Sequence, residues 1–124
     1  MIRLVAIDLD ETLLLPDRTI SPRAKRAIGA VRRQDCHVVL ATGRMFCAAE
    51  PYARELDLPG PLIAYQGSLV KSVGDKSIWR HLSISATQLG RLLPWLEEKP
   101  VHINLYVDDQ LWVERMNTSA ERYA

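Results

Sequence analysis

The sequence lacks a large net charge, a patterned set of cysteines and any long hydrophobic run. Sixteen Lys and Arg residues are balanced by fifteen Asp and Glu residues, which leaves a formal charge of +1, so no strong electrostatic field selects nucleic acid or an anionic membrane surface. Two cysteines, Cys36 and Cys47, are too few for a disulfide framework, and we expect reduced thiols in a cytoplasmic protein. The longest apolar runs fall far short of the ~20 residues that a membrane helix needs, which predicts that no segment crosses a membrane.

The first 82 residues alternate between segments typical of strands and of helices. Ser21 followed by Pro22 is a typical helix start. Pro51 falls inside the second helical segment, so that helix is either kinked or begins late. Strands are predicted at residues 2–9, 37–41 and 62–65, helices at residues 22–35 and 45–56, and a hairpin at residues 69–82. This order predicts the α/β class, a partial Rossmann-like core around a parallel sheet, with ligands beyond the carboxyl ends of the strands.

The pattern changes after about Leu82. Ser85 can cap a helix over residues 86–99, and apolar residues then alternate with polar ones over 101–107, as in a half-buried antiparallel strand. Asp108 and Asp109 indicate a turn before a returning strand at 111–115. We therefore expect residues 1–82 to form one domain and residues 83–124 to begin a second domain of the α+β kind.

Two acidic residues, Asp8 and Asp10, lie at the carboxyl end of the first strand, which we expect to be buried in the middle of the sheet. Carboxylates are costly at such a position unless they are used or paired. One carboxylate could hold a metal and attack a phosphate, since aspartyl-phosphate formation is a known covalent strategy and Mg²⁺ takes oxygen ligands. A bare Asp-x-Asp is also compatible with an ordinary acidic loop, but the preceding strand and Thr12 favour the chemical interpretation.

Thr42, Gly43 and Arg44 follow the second strand in the same way. A hydroxyl and exposed backbone N–H groups between a strand and a helix can cradle a phosphate, and glycine permits close approach. Taken alone, this triplet would favour an ordinary strand-to-helix turn. Because it lies one βα unit after the acidic pair, the two strand ends are expected to be neighbours in space.

The segments AIDLDETLL (6–14) and VVLATGR (38–44) together resemble the haloacid dehalogenase-like superfamily. In detail they resemble its Cof-type sugar-phosphate phosphatases, whose substrate cap is inserted after the third strand. LIAYQGSLV (62–70) and IWRHLS (78–83) resemble the strand and hairpin before that cap, and residues 83–124 resemble the first helix and hairpin of the cap. The resemblance implies a Mg²⁺-dependent phosphatase of small phosphorylated metabolites, such as sugar phosphates, that works through an aspartyl-phosphate.

The resemblance also implies roles for the acidic segment. Asp8 would be the nucleophile and a Mg²⁺ ligand. Asp10 would protonate the leaving alcohol, later activate water, and lend its backbone carbonyl to the metal. Thr12 would support the loop beside the phosphate. Glu11 stands where glycine is common in Cof-type proteins, so its side chain must find room or point outward.

The phosphate-binding roles fall on the other two strand ends. Thr42 would donate a hydrogen bond to the phosphoryl group with the N–H of Gly43 beside it, and Arg44 would fix the loop or approach the substrate. Gln66 and Gly67 occupy the place where many relatives carry Asn-Gly facing the substrate pocket.

The same family uses a lysine and a cluster of aspartates that follow the cap, and no lysine of this chain fits that role. We therefore expect a fragment or truncated product that ends within the cap and has weak or no activity by itself. Two alternatives stay open: a capless protein phosphatase of the carboxy-terminal-domain type, which shares the motif Asp-Leu-Asp-Glu-Thr-Leu, and a non-catalytic remnant that binds a partner or forms a homo-oligomer through an unpaired sheet edge.

Overall fold

The structure is a computed structural model in which residues 2–113 are described. The chain forms two compact units, one ending at Leu82 and the other beginning at Ser83. The first unit contains five strands and two α-helices: β1 (Leu4–Ile7), α1 (Pro22–Arg32), β2 (His37–Leu40), α2 (Phe46–Glu55), β3 (Pro61–Ala64), β4 (Leu69–Ser72) and β5 (Ile78–His81).

The parallel part of the first unit runs through β1, β2 and β3. β1 pairs with β2 in parallel, with Leu4 opposite His37 and Ile7 opposite Leu40. A single parallel bridge from Ala41 to Ile63 joins the end of β2 to β3. β3, β4 and β5 then form an antiparallel sheet. This βαβαβ arrangement followed by a hairpin confirms the predicted α/β class.

Local sequence explains the start of α1. The side chain of Ser21 accepts a hydrogen bond from the backbone N–H of Ala24, as a helix N-cap should, with Pro22 in the first turn. Pro51 lies inside α2, so the prediction of a helix that begins late is wrong. Four large side chains are almost fully buried and anchor the core of this unit: Leu9, Leu40, Phe46 and Leu62.

The prediction of a fully buried first strand is wrong. β1 is shorter than the apolar segment 2–9, and exposed and half-buried residues alternate along it. Leu4 is 57% exposed, whereas Val39 on the paired strand β2 is 6% exposed. The physical reason is the pairing: within residues 2–113, β1 has a partner strand only on the β2 side, so its outer edge and part of its faces meet solvent.

The second unit contains α3 (Ala86–Glu97) and a hairpin of β6 (Asn104–Val107) with β7 (Gln110–Val113). Ser85 and Gln88 form a capping box at the start of α3. Asp108 and Asp109 both have positive φ angles, 51° and 59°, as the two-residue turn of a hairpin requires. This confirms the predicted turn. The last two residues of the predicted returning strand, 114 and 115, lie outside the described residues, and that the second unit begins a cap stays a prediction.

No helix within residues 2–113 has the length and the apolar character that crossing a membrane would require.

The carboxyl group of Asp75, in the turn between β4 and β5, should titrate at an unusually low pH. Hydrogen bonds from the side chain of Ser72 and from the side chain and backbone of Ser77 lower the pKa of Asp75 from 3.8 to about 2. Because the folded pKa is depressed, this carboxylate stabilises the hairpin above pH ~4, and the stabilisation is lost as the pH falls through about 2. NMR titration of the Asp75 carboxyl should find the low pKa directly. Asp75→Asn should reduce the stability change in this window to the part contributed by other carboxylates with a lowered pKa, such as Asp17, whereas Asp35→Asn should retain it in full.

Candidate active site

The carboxyl ends of β1, β2 and β3 lie at the same edge of the sheet, which we call the carboxyl edge. The backbone N–H of Ala41 donates to the carbonyl of Ile7 at 2.9 Å, and that of Thr42 donates to the carbonyl of Ile63 at 2.9 Å. These bonds tie the last residues of the three strands together. The segments that follow them, which carry Asp8, the 42–44 loop and the 65–67 turn, therefore leave the sheet side by side.

After β1 the chain makes a wide turn over Leu9–Leu13, the acidic turn, closed by a bond of 2.9 Å from the N–H of Leu14 to the carbonyl of Leu9. Leu9 is completely buried and anchors this turn, while Asp8 and Asp10 on either side of it are exposed. The hydroxyl of Thr12 donates to Oδ2 of Asp8 at 3.2 Å. An exposed carboxylate is thus held in place by its neighbour four residues later.

Glu11 occupies a backbone conformation that favours glycine. Its φ is 56° and its ψ is 9°, the left-handed region. The side chain is exposed, which is how the turn accommodates a residue other than glycine. A non-glycine residue there stores of order 1 kcal/mol of strain.

Backbone hydrogen bonds join the 42–44 loop to the turn after β3. The N–H of Gln66 donates to the carbonyl of Thr42 at 3.2 Å, and the N–H of Tyr65 donates to the carbonyl of Arg44 at 3.0 Å. The hydroxyl of Thr42, a residue only 5% exposed, accepts from the N–H of Arg44 at 3.1 Å. Since that hydroxyl acts as an acceptor within the loop, its own proton can be donated to an anion.

The side chain of Gln66 lies against the α-carbon of Gly43. A Cβ built on Gly43 would overlap the amide nitrogen of Gln66, so a larger residue at position 43 would have to displace the end of that side chain. Gln66 itself has a φ of 56° and Gly67 a φ of 89°. The structure thus places both residues at the carboxyl edge, with the amide of Gln66 directed at Gly43.

The contact between Gly43 and Gln66 predicts a coupled pair of substitutions. Gly43→Ala should displace the end of the Gln66 side chain and lower the free energy of unfolding by no more than about 0.5 kcal/mol, because Gln66 is exposed and can turn toward solvent. The cost should largely disappear in the double variant with Gln66→Ala, because the displaced amide is then gone. Gly60→Ala is the matched control, since nothing lies within 4 Å of a Cβ built there. Chemical unfolding of the four proteins measures the coupling, and strictly additive costs would contradict this packing.

Arg44 spans the gap between the 42–44 loop and the acidic turn. Its Nε donates to Oδ2 of Asp10 at 2.8 Å and its Nη2 donates to Oδ1 at 2.6 Å. These hydrogen bonds hold the pKa of Asp10 below its usual value, and they raise the pKa of Arg44. The sequence pattern predicted that Asp10 and Arg44 lie at the same edge of the sheet, but it did not predict the ion pair between them.

Tyr52 is a site residue that sequence reasoning missed. Nη1 of Arg44 donates to its hydroxyl at 3.4 Å, and the guanidinium carbon lies 5.3 Å from the centre of its ring. Tyr52 is on α2, eight residues after Arg44, or about two helical turns. That spacing next to an arginine at a strand end is the signal that could have found it.

The oxygen donors at the carboxyl edge are of the type that Mg²⁺ takes. The carboxylate of Asp8 and the backbone carbonyl of Asp10 could provide two ligands. Within residues 2–113 there is no group of three or more His, Cys, Asp or Glu side chains that could hold a metal. The donor chemistry fits Mg²⁺, and the further positions would be filled by water and phosphate oxygens.

Comparisons with known proteins agree with this geometry. The family model of haloacid dehalogenase-like hydrolases matches residues 5–124. Pyridoxal phosphate phosphatase YbhA of Escherichia coli is 30% identical over 112 residues, which cover 90% of this chain and 41% of that protein. The 5-amino-6-(5-phospho-D-ribitylamino)uracil phosphatase YitU of Bacillus subtilis is 31% identical over 100 residues, 80% of this chain and 37% of that protein.

A solved haloacid dehalogenase-like hydrolase from Bacteroides thetaiotaomicron has the same fold, with a TM-score of 0.84 at 21% identity. The match covers 99% of this chain and 48% of the solved chain. The chain thus spans less than half the length of these relatives. The resemblance inferred from the two strand-end motifs is confirmed, and the chain belongs to the haloacid dehalogenase-like hydrolase family.

Proposed function

We propose that this chain supplies the nucleophile and the phosphate loop of a Mg²⁺-dependent phosphatase that acts on small phosphorylated metabolites. The observation that carries the proposal is the meeting of two strand ends. Asp8 and Asp10 leave β1 beside the 42–44 loop that leaves β2, and Arg44 joins the two segments directly. Phosphoryl transfer to a carboxylate requires that the acidic residues and the hydrogen-bond donors reach the same phosphate group. The segments that carry them leave the sheet side by side at the carboxyl edge.

The relatives support the substrate class. The two named above are phosphatases of pyridoxal phosphate and of a phosphorylated ribitylaminouracil, both small molecules. A further relative, from Serratia proteamaculans, is called an HMP-PP phosphatase and is 37% identical over 70 residues. We infer a small phosphorylated metabolite for this chain as well.

The proposed reaction has two halves. In the first, a carboxylate oxygen of Asp8 attacks phosphorus, the bond from phosphorus to the leaving oxygen breaks, and Asp10 gives its proton to that oxygen. In the second, Asp10 takes a proton from water, the water oxygen attacks phosphorus, and the acyl-phosphate bond breaks to release phosphate and restore Asp8. The hydroxyl of Thr42 and the N–H of Gly43 hold the phosphoryl oxygens in both halves. Mg²⁺, when bound, would neutralise charge on the phosphate.

We expect the 124-residue chain by itself to be weakly active. Phosphoryl transfer depends on cations close to the phosphate, and the four lysines are engaged elsewhere. Lys25 pairs with Glu55, Lys76 pairs with Glu50, and Lys71 and Lys99 lie over the rings of Phe46 and Trp95. Hydrolysis of p-nitrophenyl phosphate with Mg²⁺ should therefore be slow. Rapid turnover by this chain would contradict this expectation.

Trapping the intermediate tests the proposed function. The chain would be incubated with Mg²⁺ and p-nitrophenyl phosphate, quenched and treated with borohydride, which converts an aspartyl-phosphate into homoserine. Peptide mass spectrometry should find homoserine at position 8, and Asp35→Asn, at an exposed position in the turn after α1, should leave the yield unchanged. Modification at another carboxylate instead of Asp8 would contradict the proposal.

The alternative of a capless protein phosphatase is disfavoured by the second unit. Such proteins carry no large insertion, whereas α3 with the β6–β7 hairpin forms a folded module after Ser83. Self-association through an unpaired sheet edge stays a prediction. Light scattering at several concentrations checks it, and a monomer at all of them would contradict it.

A further inference from the structure

A short segment over residues 15–19, which we call the arginine loop, directly follows the acidic turn. Its base is closed by an antiparallel bridge between Leu14 and Ile20, both nearly fully buried. Within the loop, the N–H of Arg18 donates to the carbonyl of Leu15 at 2.8 Å. Since the N–H of Leu14 also closes the acidic turn, the arginine loop and the acidic turn are held next to each other.

Arg18 occupies a backbone conformation that favours glycine or asparagine. Its φ is 63°, in the left-handed region, as is common for the third residue of a three-residue hairpin loop. An arginine in this conformation is strained, and strained residues of this kind are concentrated at functional sites. The side chain of Arg18 is exposed, so the loop presents a guanidinium group to solvent.

The guanidinium of Arg18 is available to a ligand. In the part of the chain that the structure describes, it forms no ion pair and no hydrogen bond with another side chain. The carboxylate of the preceding residue, Asp17, instead accepts hydrogen bonds from the N–H and the hydroxyl of Thr19, at 3.0 and 2.7 Å. Arg44, in contrast, is occupied by Asp10. Arg18 is therefore the arginine near the acidic turn that can still bind an anion.

The positive charge of Arg18 lies close to the acidic turn. The hydrogen bonds from Arg44 have the largest effect in lowering the pKa of Asp10, and the charge of Arg18 lowers it further. Exposed charges affect each other in this way only at short range, because salt solution screens them beyond about 10 Å. Arg18 thus lies near the proposed nucleophile, Asp8, but on a different loop from the 42–44 loop that would hold the transferred phosphate.

We propose that Arg18 binds a second anionic group of the substrate, a carboxylate or a further phosphate on the part of the molecule that leaves. The inference rests on the proposed function, because it requires the transferred phosphate to occupy the 42–44 loop. A guanidinium offers two parallel N–H donors, which match either kind of anion. A substrate whose only charge is the transferred phosphate would leave Arg18 unused. The role involves no change of protonation, since the guanidinium stays charged.

Phosphonates, which are not hydrolysed, test the role by binding alone. Two pairs of ligands would be titrated into the ¹⁵N-labelled 124-residue chain with Mg²⁺: phenylphosphonate with 4-phosphonobenzoate, and propylphosphonate with 3-phosphonopropionate. The members of a pair differ by a carboxylate, and the two pairs differ in the distance of that carboxylate from phosphorus. In at least one pair the carboxylated ligand should bind about fivefold more tightly, the effect of one well-formed exposed ion pair. The amide signals of Asp8 and Arg18 should shift with the same affinity.

Three variants isolate the contribution of the side chain. Arg18→Asn should reduce the ratio of the two affinities to about one, and asparagine tolerates the left-handed backbone, so the loop keeps its shape. Arg18→Lys keeps the charge without the paired donors and should give an intermediate ratio. Arg33→Asn removes the same charge from an exposed arginine that follows α1 and precedes β2, at the opposite edge of the sheet. It should leave the ratio at the wild-type value.

The alternative outcomes separate this inference from the proposed function. If Arg18→Asn weakens both members of each pair equally, Arg18 acts on the transferred phosphate, and the inference is overturned while the proposed function stands. A wild-type chain that prefers the carboxylated ligand in neither pair overturns it in the same way. If the ligands bind without shifting the signals of Asp8 or Gly43, the proposed function fails and this inference fails with it.

Discussion

Asp8→Asn is expected to abolish phosphoryl transfer, with a loss of at least ~10³-fold in the rate of phosphate release from p-nitrophenyl phosphate. An amide oxygen is a far weaker nucleophile than a carboxylate, and it cannot form the acyl-phosphate that divides the reaction into two steps. The residual rate would come only from phosphate binding at the 42–44 loop. Because the wild-type chain is expected to be slow, the comparison is best made in single-turnover experiments with protein in excess.

The fold should survive this substitution. Asp8 is exposed, and its side-chain contact is the hydrogen bond from Thr12, which an asparagine oxygen can also accept. The free energy of unfolding should therefore change by less than about 1 kcal/mol. Asp35→Asn makes the same chemical change at an exposed position and should alter neither activity nor stability. Activity retained in Asp8→Asn would mean that another group attacks the phosphate.

Leu9→Ala is expected to have the largest effect on stability among substitutions near the site. Leu9 is 0% exposed and is the buried anchor of the acidic turn. Removing a buried leucine side chain costs 2–5 kcal/mol, about the range found for other cores, because both its burial and the packing around it are lost. Urea unfolding followed by circular dichroism would measure this as a lower midpoint.

Leu15→Ala is the matched control, since Leu15 follows the same turn but is 46% exposed. It should change the free energy of unfolding by about 0.5 kcal/mol or less. If Leu9→Ala were equally mild, the acidic turn would not be anchored in the core. The position of Asp8 and Asp10 would then lack the physical support that the proposed site needs.

Much of the framework could be predicted because it depends on local patterns. Ser21 and Pro22 specify a helix start through capping alone, and the two aspartates at 108 and 109 specify a tight hairpin turn. That Asp8 and Thr42 follow the same ends of paired strands also follows from sequence order, because consecutive parallel strands that pair end at the same edge.

The remainder depends on contacts that no local pattern encodes. The exposure of β1 reflects which strands pair with it, and apolar composition cannot reveal that. The ion pair between Arg44 and Asp10 joins residues 34 positions apart, and Tyr52 contacts the Arg44 guanidinium through its hydroxyl and its ring. The close approach of Gln66 to Gly43 is likewise a matter of how two loops pack.

Titration of the ¹⁵N-labelled chain with Mg²⁺ and beryllium fluoride, which mimics a phosphoryl group on aspartate, tests the central claim most directly. The claim is that the ends of β1 and β2 hold one phosphate between them. Binding should shift the amide signals of Asp8, Gly43 and Arg44 together with a single affinity, and Asp8→Asn should remove the shifts at both strand ends. Shifts confined to one strand end, or located in the β4–β5 hairpin, would contradict the account.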